Sequence, residues 1–452
     1  MRALYSRFLT LIVCTTVSYA VPVTFTLDPD SQMQTIRGFG GMVYAGNTDD
    51  VPDLVNDLGM SMVRFELSGL NTAETQITED GLVDALIAAG CTTFVATPWS
   101  SPSQFEKADN YFDTTHSDAW LDWWIGRVKM FQARHGVELF GASIQNEPQL
   151  DPVYYDVTKY NAVDFRHLVR KIGPRLQTEG LATKVLWSEN VMSVNWRSSL
   201  MAVATDTTAG GGSQYAPYYC VHGYDASGVT STSANANTWI PVGALTAKYG
   251  KEAWLTETSG VTGSTDWEHA INWASFFYST LKYGHLSVYL HHYVAHPDIV
   301  PSHHYFLEGD TKYPWYYAVK SFWRYITPGA VQIGCYTGND TYASPLAFAH
   351  PEQNTLTLVF VNPTAETLEP TLSGSDLPDS YTRYLTAEGT HCEDMGTVAA
   401  AGITLPPSSI TTLVATGYTF EQTPVAKPHA PHRATVKPAH ATPRGAVFTL
   451  DG

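Results

Sequence analysis

The chain has 452 residues, 44% of them hydrophobic, enough for one large domain and a smaller one around sizeable cores. Its formal net charge of −17 argues against nucleic acid or an anionic membrane surface as the main partner and leaves a neutral or basic ligand easier to accommodate. Aromatic residues reach 12%, with 12 Trp and 26 Tyr, which serve either as core filling or, in Gly- and Pro-rich loops, as flat apolar platforms.

Residues 1–20, MRALYSRFLTLIVCTTVSYA, read as a secretory signal: Arg2 and Arg7 supply the charge, Phe8 to Val17 the apolar run, and Ser18-Tyr19-Ala20 the small-x-small cleavage pattern. The run is too short to span a bilayer, and no later stretch reads as transmembrane, so the expectation is an exported, soluble protein. Cleavage removes two arginines and no acid, taking the charge to −19. Cys91, Cys220, Cys335 and Cys392 then remain. Cys91 and Cys220 flank apolar runs and read as buried thiols, whereas Cys335 and Cys392 share the C-terminal part, where export permits a bridge.

"VTFTLD" (Val23–Asp28) alternates with period two, and residues 21–35 read as a strand that ties a C-terminal β unit to the rest. Over residues 36–327 short apolar runs alternate with helical stretches. The expected strands are Gly38–Val43, Met62–Leu67, Thr93–Thr97, Leu139–Gln145, Lys184–Trp187, Tyr219–His222, Ala253–Thr256 and Leu286–Leu290. Between them, Ser117 caps a helix that stops at Gly136, and a second helix runs from about Asp266 to Tyr283. Eight strands alternating with helices predict an α/β fold, a (β/α)8 TIM barrel. A doubly wound sheet is the rival, but "GFGGM" on the first strand lacks the GxGxxG spacing. From 328 to 420, "TLTLVFVN" (Thr355–Asn362) and "SSITTLVATGY" (Ser408–Tyr418) predict a side antiparallel β-sandwich. Residues 421–452 are rich in Pro, Ala and His and read as a linker or tail, whose final "AVFTLDG" begins like another strand.

In such a barrel the chemistry sits at the C-terminal ends of the strands. Those ends carry Arg64 in "VRFEL", Trp99 in "ATPWSSP", Asn146 and Glu147 in "SIQNEP", Glu189 in "WSEN", His222 and Tyr224 in "VHGYD", Glu257 in "WLTET", and His291 and His292. Two carboxylates converging from different strands suit glycoside hydrolysis, where one protonates the leaving oxygen and the other attacks the anomeric carbon or activates water. Arg64 favours an ionised neighbour, Asn146 suits a sugar 2-hydroxyl, His222 and His292 suit sugar hydroxyls, and Glu189 shapes the pocket. Tyr44, Tyr154, Tyr155, Tyr305, Tyr313 and Trp315 are candidates for stacking on sugars. The histidines at 222, 291, 292, 296, 303 and 304 invite a metal reading, but neither HxH nor HExxH spacing occurs, so no metal and no cofactor is expected.

"TIRGFGGM", "VRFEL", "ATPWSSP", "SIQNEP", "VHGYD", "WLTET" and "SFWRYITPG" occur in an order and spacing that resembles glycoside hydrolase family 30, most of all its bacterial xylanase branch, from about Val23 to Tyr418. The resemblance implies a (β/α)8 barrel with a side β-sandwich, a retaining mechanism, Glu147 as acid/base and Glu257 as nucleophile. It also implies that Asn146, Arg64, Trp99 and Tyr224 line the cleavage subsite. Glucuronate-reading members carry a Trp-Trp-Tyr-x-Arg-Arg-like run after strand eight. Here it is "HHYVAHP" (His291–Pro297), with no arginine to clamp a sugar carboxylate. The expectation is a secreted, monomeric endo-β-glycosidase acting on a polysaccharide, β-1,4-xylan without a glucuronate requirement. The alternatives are an exo-acting xylosidase or xylobiohydrolase, a β-1,6-glucanase or galactanase, and a non-catalytic carbohydrate-binding protein.

Overall fold

The computed structural model describes residues 20–67, 73–149, 157–192, 196–224, 236–259, 266–299, 305–338 and 343–422. The expected signal segment through residue 19, Tyr154, Tyr155, His303, His304 and the expected tail from 423 lie outside them. In chain order the elements are β1 (Val21–Thr35), β2 (Gly38–Val43), β3 (Met62–Glu66), α1 (Ala73–Ala88), β4 (Thr93–Thr97), α2 (Ser117–His135), β5 (Gly141–Ser143), α3 (Ala162–Thr178), β6 (Lys184–Val191), α4 (Trp196–Ala204), β7 (Tyr218–His222), α5 (Ala236–Tyr249), β8 (Glu252–Glu257), α6 (Asp266–Gly284) and β9 (Leu286–His296). A small hairpin follows, β10 (Leu307–Glu308) and β11 (Thr311–Lys312), then α7 (Pro314–Trp323).

Strands β2 to β8 pair in parallel in chain order, and β9 pairs in parallel with both β8 and β2, so the sheet closes into an eight-stranded barrel and the doubly wound rival is excluded. The interior is packed, not hollow: Met62, Val95, Leu186, Tyr218, Cys220, Trp254, Val288 and Leu290 meet inside it and are buried. The alternate residues of the same strands, such as Val63, Trp187, Leu255 and Tyr289, face the helices. The glycines of "GFGGM" are there for close approach: a Cβ on Gly40 would lie 1.8 Å from the Met62 carbonyl oxygen, and one on Gly41 2.4 Å from that of His291.

Strands β6 and β9 run four and six residues past their expected ends, to Val191 and His296, and two further differences lie elsewhere. Strand β5 is only Gly141–Ser143, because the chain then leaves the ladder and Asn146 N–H bonds to the Pro98 carbonyl at 2.9 Å. Ser117 is the first residue of α2, not its cap: a 3-10 turn over Thr114–His116 precedes it, and the Asp113 side chain accepts from Thr115 N–H. The stop holds, with Gly136 left-handed at φ 68°.

The remaining strands are β12 (Val331–Thr337), β13 (Ser344–His350), β14 (Thr355–Asn362), β15 (Leu368–Ser373), β16 (Ser380–Ala387), β17 (Thr390–Ala399) and β18 (Ser409–Thr416). With β1 they form a sheet in the order β15-β1-β12-β13-β14-β18-β16-β17, antiparallel except where β1 runs parallel to β15. Phe25 on β1 packs on Phe360 of β14, ring centroids 4.9 Å apart and three places along the sheet. The sheet therefore folds over a second core. Its outer face docks on α6 and α7. Trp267 Nε1 donates to Ser408 Oγ at 2.9 Å, and Tyr317 stacks on His391 at 4.2 Å.

All four described cysteines are free and buried, so the bridge that export would permit between Cys335 and Cys392 is not formed. Cys335 packs in the core of the side sheet, while the Cys392 sulfur meets the Ser321 and Tyr325 hydroxyls at 3.8 Å against α7. The two thiols thus belong to different packing environments. No helix among the described residues is long and apolar enough to cross a membrane.

Phe25→Ala removes a fully buried ring from the strand that carries the first residues into the second core. It should destabilise the protein by about 3–5 kcal/mol in urea unfolding followed by near-UV circular dichroism, and a loss under about 1 kcal/mol would mean that β1 contributes little to that core.

Candidate active site

The C-terminal ends of the barrel strands converge on a buried polar cluster at the centre of the barrel mouth. Arg64 lies in the middle of β3 and is 1% exposed. One of its terminal nitrogens, Nη1, makes a short hydrogen bond to Glu257 Oε2, and Nη2 donates to Asn146 Oδ1 at 2.6 Å. Its Nε donates to Thr97 Oγ1 at 3.3 Å, and its guanidinium carbon lies 4.7 Å from the centre of the half-buried Trp99 ring. Each nitrogen of this cation therefore has a hydrogen-bond partner, and one flat face is covered by an aromatic ring.

Three glutamates surround it. Glu147 follows β5 in a left-handed conformation, φ 43°, with its N–H on the Glu189 carbonyl at 3.2 Å. Such a conformation is costly for a side chain with a Cβ and is held only by the surrounding structure. Glu257 ends β8 and receives the Tyr224 hydroxyl on Oε1 at 3.2 Å. Glu189 lies on β6 and accepts short hydrogen bonds from Ser143 and Thr256. His222 ends β7, fully buried, with Nδ1 2.9 Å from Glu147 Oε1 and Nε2 3.0 Å from Glu189 Oε2.

Strand irregularities make this convergence. Ser188 pairs with Cys220 but Asn190 pairs with Val221, so Glu189 is an extra residue in β6, and Ser188 and Glu189 both have positive φ. Leu255 pairs with Val221 but Glu257 with His222, leaving Thr256 extra in β8. His291 pairs with Gly41 but Tyr293 with Met42, leaving His292 extra in β9. The bulges in β6 and β8 turn Glu189 and Glu257 inward, where a strict two-residue period would send them outward. Trp187 faces the helices, yet Glu189 two residues on faces the cluster.

The charges set the protonation states. Burial alone would raise Glu257, but His222, Arg64 and His292 outweigh it and hold its carboxyl down at about 2. Burial is likewise overcome at Glu189, lowered by Arg64 and His222. At His222 burial disfavours the charged ring, but Glu257, Glu147 and Glu189 raise it to about 9. Burial and the Glu257 charge push the Tyr224 phenol well up, so it stays a donor.

The structure thus brings together Arg64, Trp99, Asn146, Glu147, His222, Tyr224 and Glu257. One carboxylate oxygen of Glu147, one of Glu257 and one nitrogen of His222 lie within 4.8 Å of one another. Those three atoms are spaced as metal ligands are, but the Arg64 guanidinium already occupies Glu257, and both His222 nitrogens are taken by carboxylates. The donor set is filled by cations of the protein's own and does not fit a metal ion. For the same reason the hydrogen bond from His222 to a sugar hydroxyl, expected from sequence, has no nitrogen to make it.

The two adjacent histidines part company. His292 is half-buried beside Tyr293 and is among the groups that lower Glu257. His291 is fully buried on the helix side, with its ring 4.3 Å from Phe306 and edge-on to Trp315 at 5.7 Å, so it does not reach the cleft and is not a substrate ligand. Trp315 is buried with it and is not a stacking platform. Tyr44 stacks on Tyr293, centroids 3.9 Å apart, with Tyr305 and His296 around it at the rim. Ser143, Thr97 and Thr256, which tie the glutamates and Arg64 together, were not singled out from sequence. An inward-facing hydroxyl at a barrel strand end is the signal that could have marked them.

No protein-family model matches the chain, and no curated protein matches it. Solved structures do. One is a glycoside hydrolase family 30 endoxylanase from Clostridium papyrosolvens C71, 19% identical, with a TM-score of 0.70 over 87% of this chain and 100% of that one. Another is a subfamily 8 xylanase of the same family from Clostridium acetobutylicum, 17% identical, with a TM-score of 0.68 over 86% and 99%. A third is an endo-β1,6-glucanase, 16% identical, with a TM-score of 0.68 over 88% and 93%. At these identities the likeness establishes the fold: a closed parallel barrel with a β-rich side module.

Arg64→Met would take from Glu257 and Glu189 one of the two buried cations that hold them ionised. It should cost about 3–5 kcal/mol at pH 7 in urea unfolding. The depressed carboxyls contribute stability above their unfolded value of about 4.5 and lose it as pH falls toward 2, so the gap to wild type should narrow at about pH 3. A gap that stays constant with pH would show that Arg64 acts through packing alone.

Proposed function

We propose that the protein is a secreted, retaining endo-β-glycosidase of glycoside hydrolase family 30 that hydrolyses a plant cell-wall polysaccharide, β-1,4-xylan without a requirement for glucuronic acid side groups. The observation that carries this reading is the pair Glu147 and Glu257, with carboxylate oxygens within 4.8 Å across the barrel mouth. Retaining glycosidases hold their two carboxyl groups about 5–5.5 Å apart, whereas inverting ones need about 6.5–9.5 Å to admit a water.

The roles follow from the charges. Glu257, ionised on Arg64 and Tyr224, is the nucleophile: it attacks the anomeric carbon as the glycosidic bond breaks. Glu147 gives its proton to the leaving oxygen, then takes one from the water that releases the sugar. Asn146 has its amide oxygen fixed by Arg64, which orients the amide nitrogen as the donor toward a sugar 2-hydroxyl. Trp99 forms an apolar wall beside the reacting sugar.

Family 30 membership rests on the ordered motifs together with the fold, and xylan on the xylanases among the similar structures. The absence of a glucuronate clamp rests on "HHYVAHP", in which Ala295 is buried and His296 is engaged with the backbone of Asp298. The same replacement favours one second reading, a β-1,6-glucanase, since a structure of that activity is as similar in fold as the xylanases. Export rests on the first 20 residues alone.

The test is the product profile on glucuronoxylan, arabinoxylan and a β-1,6-glucan, with Glu257→Ala as the blank. Mixed xylo-oligomers from both xylans are expected, with turnover by Glu257→Ala reduced on the order of 10⁴-fold or more. A single small product would mean exo action. Silence on both xylans with release from the β-1,6-glucan would replace the substrate.

A further inference from the structure

His222 is fully buried, and each ring nitrogen faces a different carboxylate: Nδ1 the acid/base candidate Glu147 at 2.9 Å, and Nε2 the non-reacting Glu189 at 3.0 Å. Glu189 is held on its other sides by Ser143 and Thr256, which donate to it, and faces Arg64 at 3.9 Å. It is therefore an acceptor, and Nε2 must carry a proton. The open question is Nδ1, which is either a donor to Glu147 or a lone pair that draws the Glu147 proton toward itself.

The charge balance decides it. The groups facing His222 are Arg64 from β3, Glu147 after β5, Glu189 from β6 and Glu257 from β8, whose Oε2 is 3.9 Å from Nδ1. Cys220 and Tyr224 flank it on its own segment, and His292 on β9 acts on Glu257. With His222 as an imidazolium, Arg64 and His222 balance Glu189 and Glu257, and Glu147 alone remains to gain and lose a proton. With a neutral imidazole the same four groups carry an unbalanced negative charge in a water-poor site.

We propose that His222, locked by Glu189, is the positioning residue of the acid/base: as an imidazolium it donates from Nδ1 to one oxygen of Glu147 and so turns the other, proton-bearing oxygen into the cleft. This rests on the glycosidase reading above. Through the cycle the His222 protons stay where they are. In the first step the Glu147 proton passes to the leaving oxygen while the carbon–oxygen bond breaks and the bond to Glu257 forms. In the second, water adds to the sugar, its proton returns to Glu147, and Glu257 leaves as a carboxylate. When His222 loses its proton, Nδ1 accepts the Glu147 proton and turns it away from the substrate, so the alkaline limit of activity belongs to the pair.

The test compares wild type, His222→Asn and Glu189→Gln on the polysaccharide and on a 2,4-dinitrophenyl β-glycoside of the sugar released, whose leaving group needs no proton. His222→Asn should lose about 100-fold in kcat/KM on the polysaccharide and under about 10-fold on the aryl glycoside. Glu189→Gln keeps the ring but removes the anion that holds Nε2–H, so its alkaline limb should move to lower pH by about one unit. The ¹⁵N signals of His222 should show both ring nitrogens protonated in wild type at pH 7. Equal losses on the two substrates with an unmoved alkaline limb, or a single protonated nitrogen at pH 7, would overturn the proposal. If His222→Asn does not fold, Glu189→Gln and the ¹⁵N spectrum decide. A wild type inactive on both substrates contradicts the glycosidase reading itself, and the ¹⁵N signals still report on the imidazolium.

Discussion

A guanidinium taken wholly out of water is tolerable only if every donor is paired and its charge is met by anions. Arg64 imposes this constraint on the barrel mouth. Its partners come from different strands, Thr97 on β4, Asn146 after β5 and Glu257 on β8, so satisfying it fixes the mutual positions of those strand ends. Asn146 and Glu147 are neighbours in the chain, so placing the amide also places the carboxylate. The resulting proximity of Glu147 and Glu257 would be repulsive without Arg64 and His222, and both cations are buried with them.

The rest of the structure serves that convergence. The packed interior of Met62, Val95, Leu186, Trp254 and Leu290 makes a solid floor on which the cluster sits, so the polar residues cannot sink and close the site. The side sheet buttresses the part of the barrel that carries Glu257 and His292. It packs on α6, the helix between β8 and β9, through Trp267 and Ser408, and on α7 through Tyr317 and His391. Because β1 belongs to that sheet, both ends of the folded chain are joined across it.

Much of this was legible in the sequence. Each of the eight barrel strands forms where an apolar run was bounded by helical or turn signals, and Asn146-Glu147 and Glu257 stand at strand ends, where barrel chemistry belongs. What was not legible turns on single extra residues. A two-residue period puts Glu189 on the face of Trp187, and only the bulge in β6 brings it inward. The pair His291-His292 shows the converse: on a strand two consecutive side chains face opposite ways, so one joins the aromatic layer under the helices and the other the cleft. The occupancy of both His222 nitrogens depends on three strands meeting and leaves no trace in the spacing of any one. The free thiols at Cys335 and Cys392 lie in different packing environments, which their shared position in the C-terminal part of the sequence does not reveal.

The central claim is that Glu257 is a nucleophile held ionised by Arg64, not a base that activates water. A 2-deoxy-2-fluoro β-glycoside with a good leaving group traps such a nucleophile, and peptide mass spectrometry locates the adduct. The account predicts one covalent sugar on the peptide containing Glu257, formed in a time-dependent manner and absent in Glu257→Ala. Turnover of the polysaccharide with no adduct, or an adduct on Glu189 or Glu147, would contradict it.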